Sequence, residues 1–495
     1  MIDYEQLSLF DDILTEYKIT KPVRLISFFS GIEAQYKALK WLGDYLRIPV
    51  ESYKTCEWAY NSIIACNSIH NRDFTDYSEG KTKEEMLNRI HGISVDYNQP
   101  LSDEQLERKP LNWIKKAYNA CIANHNLINI MNVHASDLEI IDNNEYEYIV
   151  TYSYPCQDLS LAGKRAGMAV SQAKGGTRSG LLWEVERILL ECEQLGTMPN
   201  VLIMENVPQI HSEKDMPNFR KWIIALENMG YNNYFTDLNA SDFGIPQNRE
   251  RCFMVSVLGR EFNYKFPIPF EREKSLSDFL ESNVDEKYYL SQKMLDYLTG
   301  KNQKESKYNR REVFERNLDP NKDVAATITT CSGQRPTDNF VITWDDDSDF
   351  IPIINNTKKG YLEGEVGDGV NIGSRMHHQR GNVQKGMIQT LKTSLEIGVI
   401  VKNDGTIKIN NEEGTKKKLW IRKLSSKECL RLMAFQDKDC EHMKEVGLVD
   451  ANLVHVAGDS IPVNLLLGIF CKLFGKTNEE TKEIIKDYIK GIKDE

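Results

Sequence analysis

Four side chains that could do chemistry stand at the ends of apolar runs: a cysteine, a glutamate and two arginines. Cys156 follows the run EYEYIVTYSY and a proline, Glu205 ends the run VLIM, and Arg249 and Arg251 precede CFMVSV. A cysteine just beyond a strand is placed for nucleophilic attack, although a lone PCQ slightly favours a buried packing cysteine. A carboxylate there either caps a helix or acts as an acid. Arginines two residues apart share one strand face, where they would lower a nearby thiol pKa or bind a carbonyl oxygen or a phosphate.

The segment after Cys156 favours the nucleophile over the packing thiol. It reads DLSLAGKRAGMAVSQAKGGTRSG and is rich in Gly, Ser and Ala. Its charged residues are Lys164, Arg165, Lys174 and Arg178, with Asp158 as the one acid. We expect a mobile basic loop that can close over a phosphate backbone.

A second group of residues could hold a nucleotide-like cofactor. The turn in ISFFSGIEA contains Gly31 alone, where a dinucleotide fingerprint repeats the glycine, so an ordinary βα turn remains an alternative. Glu57 in TCEW could accept both ribose hydroxyls, and Trp58 could stack on an adenine. Asp137 in HASDLEI is expected at a strand end, where its carboxylate could accept from an adenine amino group. Each also has an ordinary alternative as a surface acid or a core aromatic.

The elements that position these residues alternate between strands and helices. The segment Val23 to Gly43 predicts a strand, a turn and a helix. The runs EYEYIVTY, GLLWEVERILLECEQL, NVLIMENV and NFRKWIIALENMGY continue the pattern. They predict a doubly wound α/β domain with a mostly parallel sheet. Residues from about 70 to 132 form a polar helical insertion, to which we assign no function.

Bulk properties bound the class of protein. The chain has 495 residues, of which 41% are hydrophobic and 27% charged, and no apolar window is long enough to span a membrane. The start of the chain does not resemble a signal peptide, so we expect a cytoplasmic protein without membrane association. Its ten cysteines form no CxxC pair, and we predict no metal site. The net charge of −11 argues against wholesale wrapping by nucleic acid.

Taken in order, the motifs resemble those of the DNA (cytosine-5) methyltransferase family of bacterial or phage type. The motifs are FFSGIEA, CEW, SD, PCQ, MENV, QNRER, RKLSSKECLRLMAFQD and GDSIP, spread from about residue 23 to 475. The resemblance implies an α/β, Rossmann-like S-adenosylmethionine-dependent methyltransferase domain with a second, smaller target-recognition domain. The implied divisions are a catalytic domain over 1–265, a target-recognition domain over 266–440, and a return segment with a C-terminal helix over 441–495.

The resemblance also implies a mechanism. The Cys156 thiolate adds to carbon 6 of a flipped-out cytosine, and carbon 5 then takes a methyl group. Glu205 matches the glutamate that binds N3 and the exocyclic amine, and Arg251 matches the arginine directed at O2. Arg249 is expected to support the thiolate or the loop. S-adenosyl-L-methionine is the implied donor and S-adenosyl-L-homocysteine the product.

Binding residues follow from the same motifs. The implied cofactor-binding residues are Phe29, Ser30, Gly31, Ile32, Glu57, Trp58, Asp137, Leu138, Pro155, Leu181, Asp459, Ser460 and Ile461. The implied DNA contacts are Gln157, Ser160, Lys164, Arg165 and Arg178.

Three positions depart from the family pattern. Ser27 replaces an acid, Glu33 replaces a glycine and Asp459 replaces an asparagine. An added carboxylate beside the cofactor's own carboxylate is unfavourable unless it turns away or meets the amino group.

Other interpretations remain open at this point. Amino methylation of adenine or cytosine normally needs a DPPY-like turn where this chain has SYPC. A relative that methylates RNA and an inactive DNA-binding regulator are two further alternatives, although Cys156, Glu205 and Arg251 argue against the second. The expected partner is double-stranded DNA, with a restriction endonuclease as a possible companion in restriction-modification or host-defence evasion. We expect a monomer.

Overall fold

The computed structural model describes residues 14–155, 178–289, 350–355, 357, 359, 361–371, 381–391, 397–402 and 419–493. Cys156 and the predicted DNA contacts Gln157, Ser160, Lys164 and Arg165 lie outside these residues, and Arg178 is described for its backbone only. The chain divides into two units. The first comprises Met1–Ile245, Glu250–Glu271 and Met433–Glu495, and the second Pro246–Arg249 and Arg272–Leu432.

A six-stranded sheet forms the centre of the first unit. The strands of this unit are β1 (Thr15–Glu16), β2 (Val23–Phe28), β3 (Val50–Cys56), β4 (Glu147–Tyr152), β5 (Val201–Asn206), β6 (Tyr231–Asn239), β8 (Glu250–Leu258) and β9 (Phe262–Asn263). Strand β7 (Gln247–Asn248) belongs to the second unit. The strand order in the central sheet is β3-β2-β4-β5-β8-β6. Strands β3, β2, β4 and β5 are parallel, whereas β8 runs antiparallel to β5 and β6. The predicted mostly parallel sheet is confirmed.

Helices of the first unit cover the sheet and build the insertion. They are α1 (Ala34–Leu46), α2 (Tyr60–Cys66), α3 (Lys83–Arg89), α4 (Asp103–Glu107), α5 (Leu111–Ala123), α6 (Leu182–Leu195) and α7 (Met216–Asn228). Short 3-10 turns lie at Ile130–Asn132, Ala135–Leu138, Arg178–Leu181, Pro208–His211 and Ala240–Phe243, and a π turn at Asn67–Asn71. The βα order places the carboxyl ends of the parallel strands at one sheet edge.

The insertion has an apolar core of its own. Helices α3 and α5 pack together, and α5 also packs on α2. Its buried residues include Met86, Ile90, Ile114 and Ala117, and Trp58 packs against their edge. The predicted helical insertion is thus a small packed layer attached to the sheet rather than an open loop.

The last part of the chain returns to the first unit. Its helices are α9 (Asp437–Glu445), α10 (Asp450–Asp459), α11 (Val463–Leu473) and α12 (Asn478–Lys490). Helix α11 packs against α1 and is buried throughout. Among the described residues, Asp450–Leu473 is apolar enough to cross a membrane by length and composition, but 89% of its most apolar stretch is buried, as in the core helix of a soluble protein.

The second unit contains short strands and one α-helix among its described residues. They are β7, β10 (Ile351–Ile354), β11 (Tyr361–Gly364), β12 (Gly369–Asn371), β13 (Val383–Gln384), β14 (Ile388–Gln389), β15 (Ile397–Lys402), β16 (Leu419–Lys423) and helix α8 (Ser426–Leu432), with 3-10 turns at Leu276–Phe279 and Glu286–Tyr288. Strands β13, β12, β15 and β16 form one sheet in that order.

The return to the first unit begins earlier than the boundary after residue 440 that the sequence suggested. Met433 is already part of the first unit. Its carbonyl accepts a hydrogen bond from the Val463 N–H at 3.1 Å, and Phe435 is fully buried. The motif LMAFQD therefore spans the change of unit, which charge and composition alone do not reveal.

Candidate functional site

The turn between β2 and α1 has an unusual backbone. Phe29, Gly31 and Glu33 all adopt left-handed conformations, with φ of 55°, 56° and 56°. Such values are uncommon for side chains other than glycine. The Gly31 N–H donates to Oε2 of Glu57 at 2.9 Å, so this turn is tied to the end of β3.

Glu57 occupies the sheet edge as predicted. Its second carboxylate oxygen, Oε1, accepts from the Ala59 N–H at 2.7 Å. Burial raises the pKa of Glu57 to about 7; hydrogen bonds from the backbone of Ala59, Gly31 and Trp58 oppose the rise, and the charge of Asp459 adds to it. Trp58 is partly buried against the insertion core. Around them, Ser30 and Ile32 are buried.

Glu33 points into the interior instead of into the turn's open side. Its carboxylate accepts from the Ser52 hydroxyl at 2.7 Å, from Ser27 at 3.3 Å and from the Cys66 thiol at 3.6 Å. Burial raises its pKa to about 7, against the lowering effect of these donors. Ser27 and Glu33, which both depart from the family pattern, thus hydrogen-bond each other. The Glu33 carboxylate points away from the open side of the turn, which is the favourable arrangement for an added carboxylate at this position.

Asp137 is not at a strand end, and that prediction is wrong. It lies in the 3-10 turn Ala135–Leu138. Its carboxylate accepts from the His134 N–H at 2.8 Å, so it caps its own turn, and its side chain is exposed. Acids that cap a turn and acids that end a strand share the same sequence signal, which explains the error.

The other predicted cofactor residues occupy different environments. Leu138 and Leu181 are buried in the core beside the sheet, and Pro155 is partly buried. Asp459 ends α10 with its side chain 49% exposed. Ser460 and Ile461, which follow it, are buried.

Glu205 and Arg251 are brought together as an ion pair. Glu205 lies on β5 and Arg251 on the neighbouring β8, and Arg251 Nε is 3.0 Å from Glu205 Oε1. Both side chains are partly buried, at 14% exposure for Arg251 and 12% for Glu205. A carboxylate and a guanidinium that share this position offer an acceptor and a set of donors to a polar ring.

Arg249 does not lie on the same strand as Arg251, and the prediction of a shared strand face is wrong. Strand β8 begins at Glu250, and Arg249 falls between β7 and β8 in the second unit. Arg249 is buried and donates to the Leu391 carbonyl at 3.0 Å. The strand is interrupted at Arg249, so positions 249 and 251 do not belong to one continuous strand. Their two-residue spacing therefore does not place the side chains on one strand face.

Asn206 is a functional candidate that sequence reasoning missed. It is buried at the end of β5, and its Nδ2 donates to the Tyr154 carbonyl at 3.2 Å. Its Oδ1 accepts from the Val207 N–H at 2.9 Å. Asn206 therefore anchors the backbone two residues before Cys156. The sequence feature that could have identified Asn206 is a polar amide at the end of a buried apolar run.

Two clusters in the described part of the chain combine metal-ligand types. They are Glu33 with Cys66 and His70, and His211 with Asp237 and Cys252. In the first, the His70 Nε2 pairs with the Ile32 carbonyl at 2.9 Å, and in the second the His211 Nε2 lies 2.9 Å from Asp237. The side chains of both clusters take part in hydrogen bonds within the protein.

Comparison with known proteins identifies the family. The model of the C-5 cytosine-specific DNA methylase family matches residues 106–475. The chain is 34% identical over 281 residues to the orphan methyltransferase M.SssI of Spiroplasma monobiae, covering 55% of this chain and 68% of that protein. It is 33% identical over 270 residues to the type II methyltransferase M2.ScrFI of Lactococcus lactis subsp. cremoris, covering 54% and 70%.

A phage protein extends the match along the chain. The orphan methyltransferase M.SPBetaI of Bacillus phage SPbeta is 26% identical over 417 residues, which cover 72% of this chain and 90% of that protein. The central sheet, flanked by helices, fits the α/β fold of methyltransferases that take the methyl group from a bound donor cofactor. The chain belongs to the C-5 cytosine-specific DNA methylase family and is a DNA cytosine-5 methyltransferase.

Proposed function

We propose that the methyl donor is S-adenosyl-L-methionine and that the target is a cytosine flipped out of duplex DNA and attacked by Cys156. The Glu205–Arg251 pair carries this proposal, because it supplies both hydrogen-bonding partners that the cytosine ring needs. Asn206 adds support, since its bond to Tyr154 fixes the backbone that leads to Cys156.

The residues at the turn fit such a cofactor chemically. A carboxylate has about four lone-pair sites, and the two N–H groups bound to Glu57 leave capacity for ribose hydroxyls. Phe29, Ser30, Gly31 and Ile32 would line the turn, while Trp58 would offer an aromatic face. Leu138, Pro155 and Leu181 would add apolar contacts, with Asp459, Ser460 and Ile461 on the return segment. Asp137 would hold the adenine amine only if its cap to His134 is shared. When bound, S-adenosylmethionine supplies an electrophilic methyl group.

Cys156 and the Glu205–Arg251 pair have different proposed roles at the cytosine ring. The thiolate forms a bond to carbon 6, and the electrons of the 5,6 double bond move to carbon 5, which is methylated. Glu205 hydrogen-bonds N3 and the exocyclic amine, and Arg251 donates to O2, so charge that develops on the ring is stabilised. Loss of the carbon-5 proton restores the double bond and expels the thiolate.

DNA binding is proposed to involve both units. The target base has to leave the stack for its carbon 6 to reach a thiol. Gln157, Ser160, Lys164, Arg165 and Arg178 are proposed to contact the backbone as the loop closes. Residues 266–440 are proposed to read the DNA sequence in the major groove, with Arg249 as a support of the loop.

The names of the relatives support a proposal for the biological setting. Their names include both type II and orphan methyltransferases, and one comes from a phage. We propose a role in restriction-modification or in evasion of host defence, in the cytoplasm, by a monomer. A cognate restriction endonuclease is the partner expected in the first case.

Methyl transfer to DNA tests the proposal. Unmodified duplex plasmid is incubated with the chain and S-adenosylmethionine, and 5-methylcytosine is quantified by mass spectrometry after digestion. We expect 5-methylcytosine with the unaltered chain and none with Cys156→Ser. Cys440→Ser, at a buried thiol of α9, is the matched control and should retain activity. Methylation by Cys156→Ser, or methylation of RNA in preference to DNA, would overturn the assignment.

A further inference from the structure

The insertion touches the edge of the sheet where the cofactor is proposed to bind. The Ser94 N–H donates to the Trp58 carbonyl at 2.7 Å, and the Tyr60 N–H donates to the Ser94 carbonyl at 2.9 Å. Ser94 itself is fully buried. These bonds fix the segment that follows Ser94 beside Glu57, immediately after β3.

Tyr97, three residues on, projects from this segment with a left-handed backbone, at a φ of 62°. A non-glycine residue in this conformation costs about 1 kcal/mol or more, and it persists when its surroundings determine it. The ring lies beside Asn61 and Ser62, and burial raises its pKa to about 12, with the charges of Glu57 and Asp459 adding to the rise. Tyr97 thus stands among residues of the proposed cofactor site.

The ring of Tyr97 packs on a histidine of the return segment. The centroids of Tyr97 and His455 are 3.9 Å apart, with 38° between the ring planes. His455 lies one helical turn before Asp459 on α10, and its Nε2 is 3.1 Å from Asp459 Oδ2. A continuous series of contacts therefore runs from the insertion through His455 to Asp459.

We propose that Tyr97 is a positioning residue of the cofactor site, which holds His455 and, through it, the carboxylate of Asp459. This inference rests on the proposed use of S-adenosylmethionine. That cofactor carries an ammonium and a sulfonium, and a carboxylate held in place favours these cations. The insertion then has a function: it supplies the contact that makes an aspartate suitable where the family pattern has an asparagine.

Binding of S-adenosylhomocysteine, measured by isothermal titration calorimetry without DNA, tests the role of Tyr97. Tyr97→Asn removes the ring while an asparagine tolerates the left-handed backbone. We expect the Kd to rise about tenfold, a typical coupling between contacting residues. Tyr97→Phe keeps the ring and should bind as the unaltered chain does. Tyr77→Asn, at an exposed position of the same insertion, is the matched control and should leave the Kd unchanged.

A double-mutant cycle separates positioning from general damage to the fold. In an Asp459→Asn background, Tyr97→Asn should change the Kd less than twofold, because its effect acts through the Asp459 carboxylate. An equal rise in both backgrounds, or no rise in either, overturns the role of Tyr97 while leaving the proposed cofactor intact. Failure of the unaltered chain to bind S-adenosylhomocysteine at all contradicts the proposed cofactor and this inference together.

Discussion

Two arginine–glutamate pairs, one in each unit, differ in how deeply they are buried. Arg251 Nε lies 3.0 Å from Glu205 Oε1, and the two side chains are 14% and 12% exposed. Arg422 and Glu428 meet through two contacts of 2.8 and 2.7 Å, with side-chain exposures of 2% and 0%.

The surroundings of the second pair explain the contrast. Glu428 also accepts from the N–H groups of Ser425 and Glu281, each at 2.8 Å, so four donors converge on one carboxylate. A buried pair of this kind is committed to the structure, because removing one partner leaves an uncompensated charge. The Glu205–Arg251 pair keeps more access to solvent. The same two residue types are therefore proposed to serve binding in one unit and stability in the other.

The largest expected effect is on activity. Glu205→Gln removes the carboxylate proposed to stabilise the protonated ring, and we expect methyl transfer to fall by about 10²- to 10⁴-fold. Its free energy of unfolding should change by less than about 1 kcal/mol, as for other partly exposed pairs. Steady-state kinetics and urea unfolding measure the two quantities.

Glu51→Gln provides the control for Glu205→Gln. Glu51 pairs with Arg24 at 3.2 Å at the start of β3, away from the carboxyl ends of the strands. The Glu51→Gln variant should methylate DNA at a rate within about twofold of the unaltered chain. If Glu205→Gln methylated DNA at an unaltered rate, the proposed catalytic role of the Glu205–Arg251 pair would be contradicted.

The next effect is on stability. Glu428→Gln leaves Arg422 buried without its charge partner, and we expect the free energy of unfolding to drop by about 3–5 kcal/mol. Urea unfolding, followed by tryptophan fluorescence at several wavelengths, gives this value. S-adenosylhomocysteine should bind to the folded fraction with an unchanged Kd. If Glu428→Gln lowered the free energy of unfolding as little as Glu205→Gln does, burial would not make the Arg422–Glu428 pair more important for stability than the more exposed Glu205–Arg251 pair.

The smallest effect concerns pH. The pKa of Glu33 is raised to about 7 by burial, from 4.5 in an unfolded chain. The folded state therefore binds the proton more tightly, and the stability that this proton contributes is present below pH 4.5 and lost as pH rises through 7. Glu33→Gln should lose less stability than the unaltered chain between these values, by about 1–3 kcal/mol. Thermal unfolding across this range measures the difference, and parallel curves for the two chains would contradict it.

Sequence patterns predicted the parts of the site that follow from strand order. The turn at Gly31 and the acid Glu57 follow from parallel strands whose carboxyl ends meet at one edge. The ion pair between Glu205 and Arg251 was not predicted, because it depends on β8 running antiparallel to β5. The inward direction of Glu33 was not predictable, since its partners Ser52 and Cys66 come from other elements.

Contacts that depend on distant or irregular backbone also escaped prediction. Arg249 was misplaced because a break between β7 and β8 has no clear sequence signal, and Asp137 because a capped turn resembles a strand end. Tyr97 meets His455 only because the insertion folds back onto the sheet edge. Such contacts depend on the packing of the whole unit rather than on local propensity.

Covalent capture of the target base tests the central claim most directly. A duplex that carries 5-fluorocytosine at the methylated position cannot lose a proton from carbon 5, so the bond between carbon 6 and the nucleophile persists. With S-adenosylmethionine present, we predict a denaturation-resistant complex whose mass equals chain plus methylated duplex, and whose cross-linked peptide contains Cys156. Cys156→Ser should give no such complex. A cross-link at another residue, or one that survives in Cys156→Ser, would contradict the account.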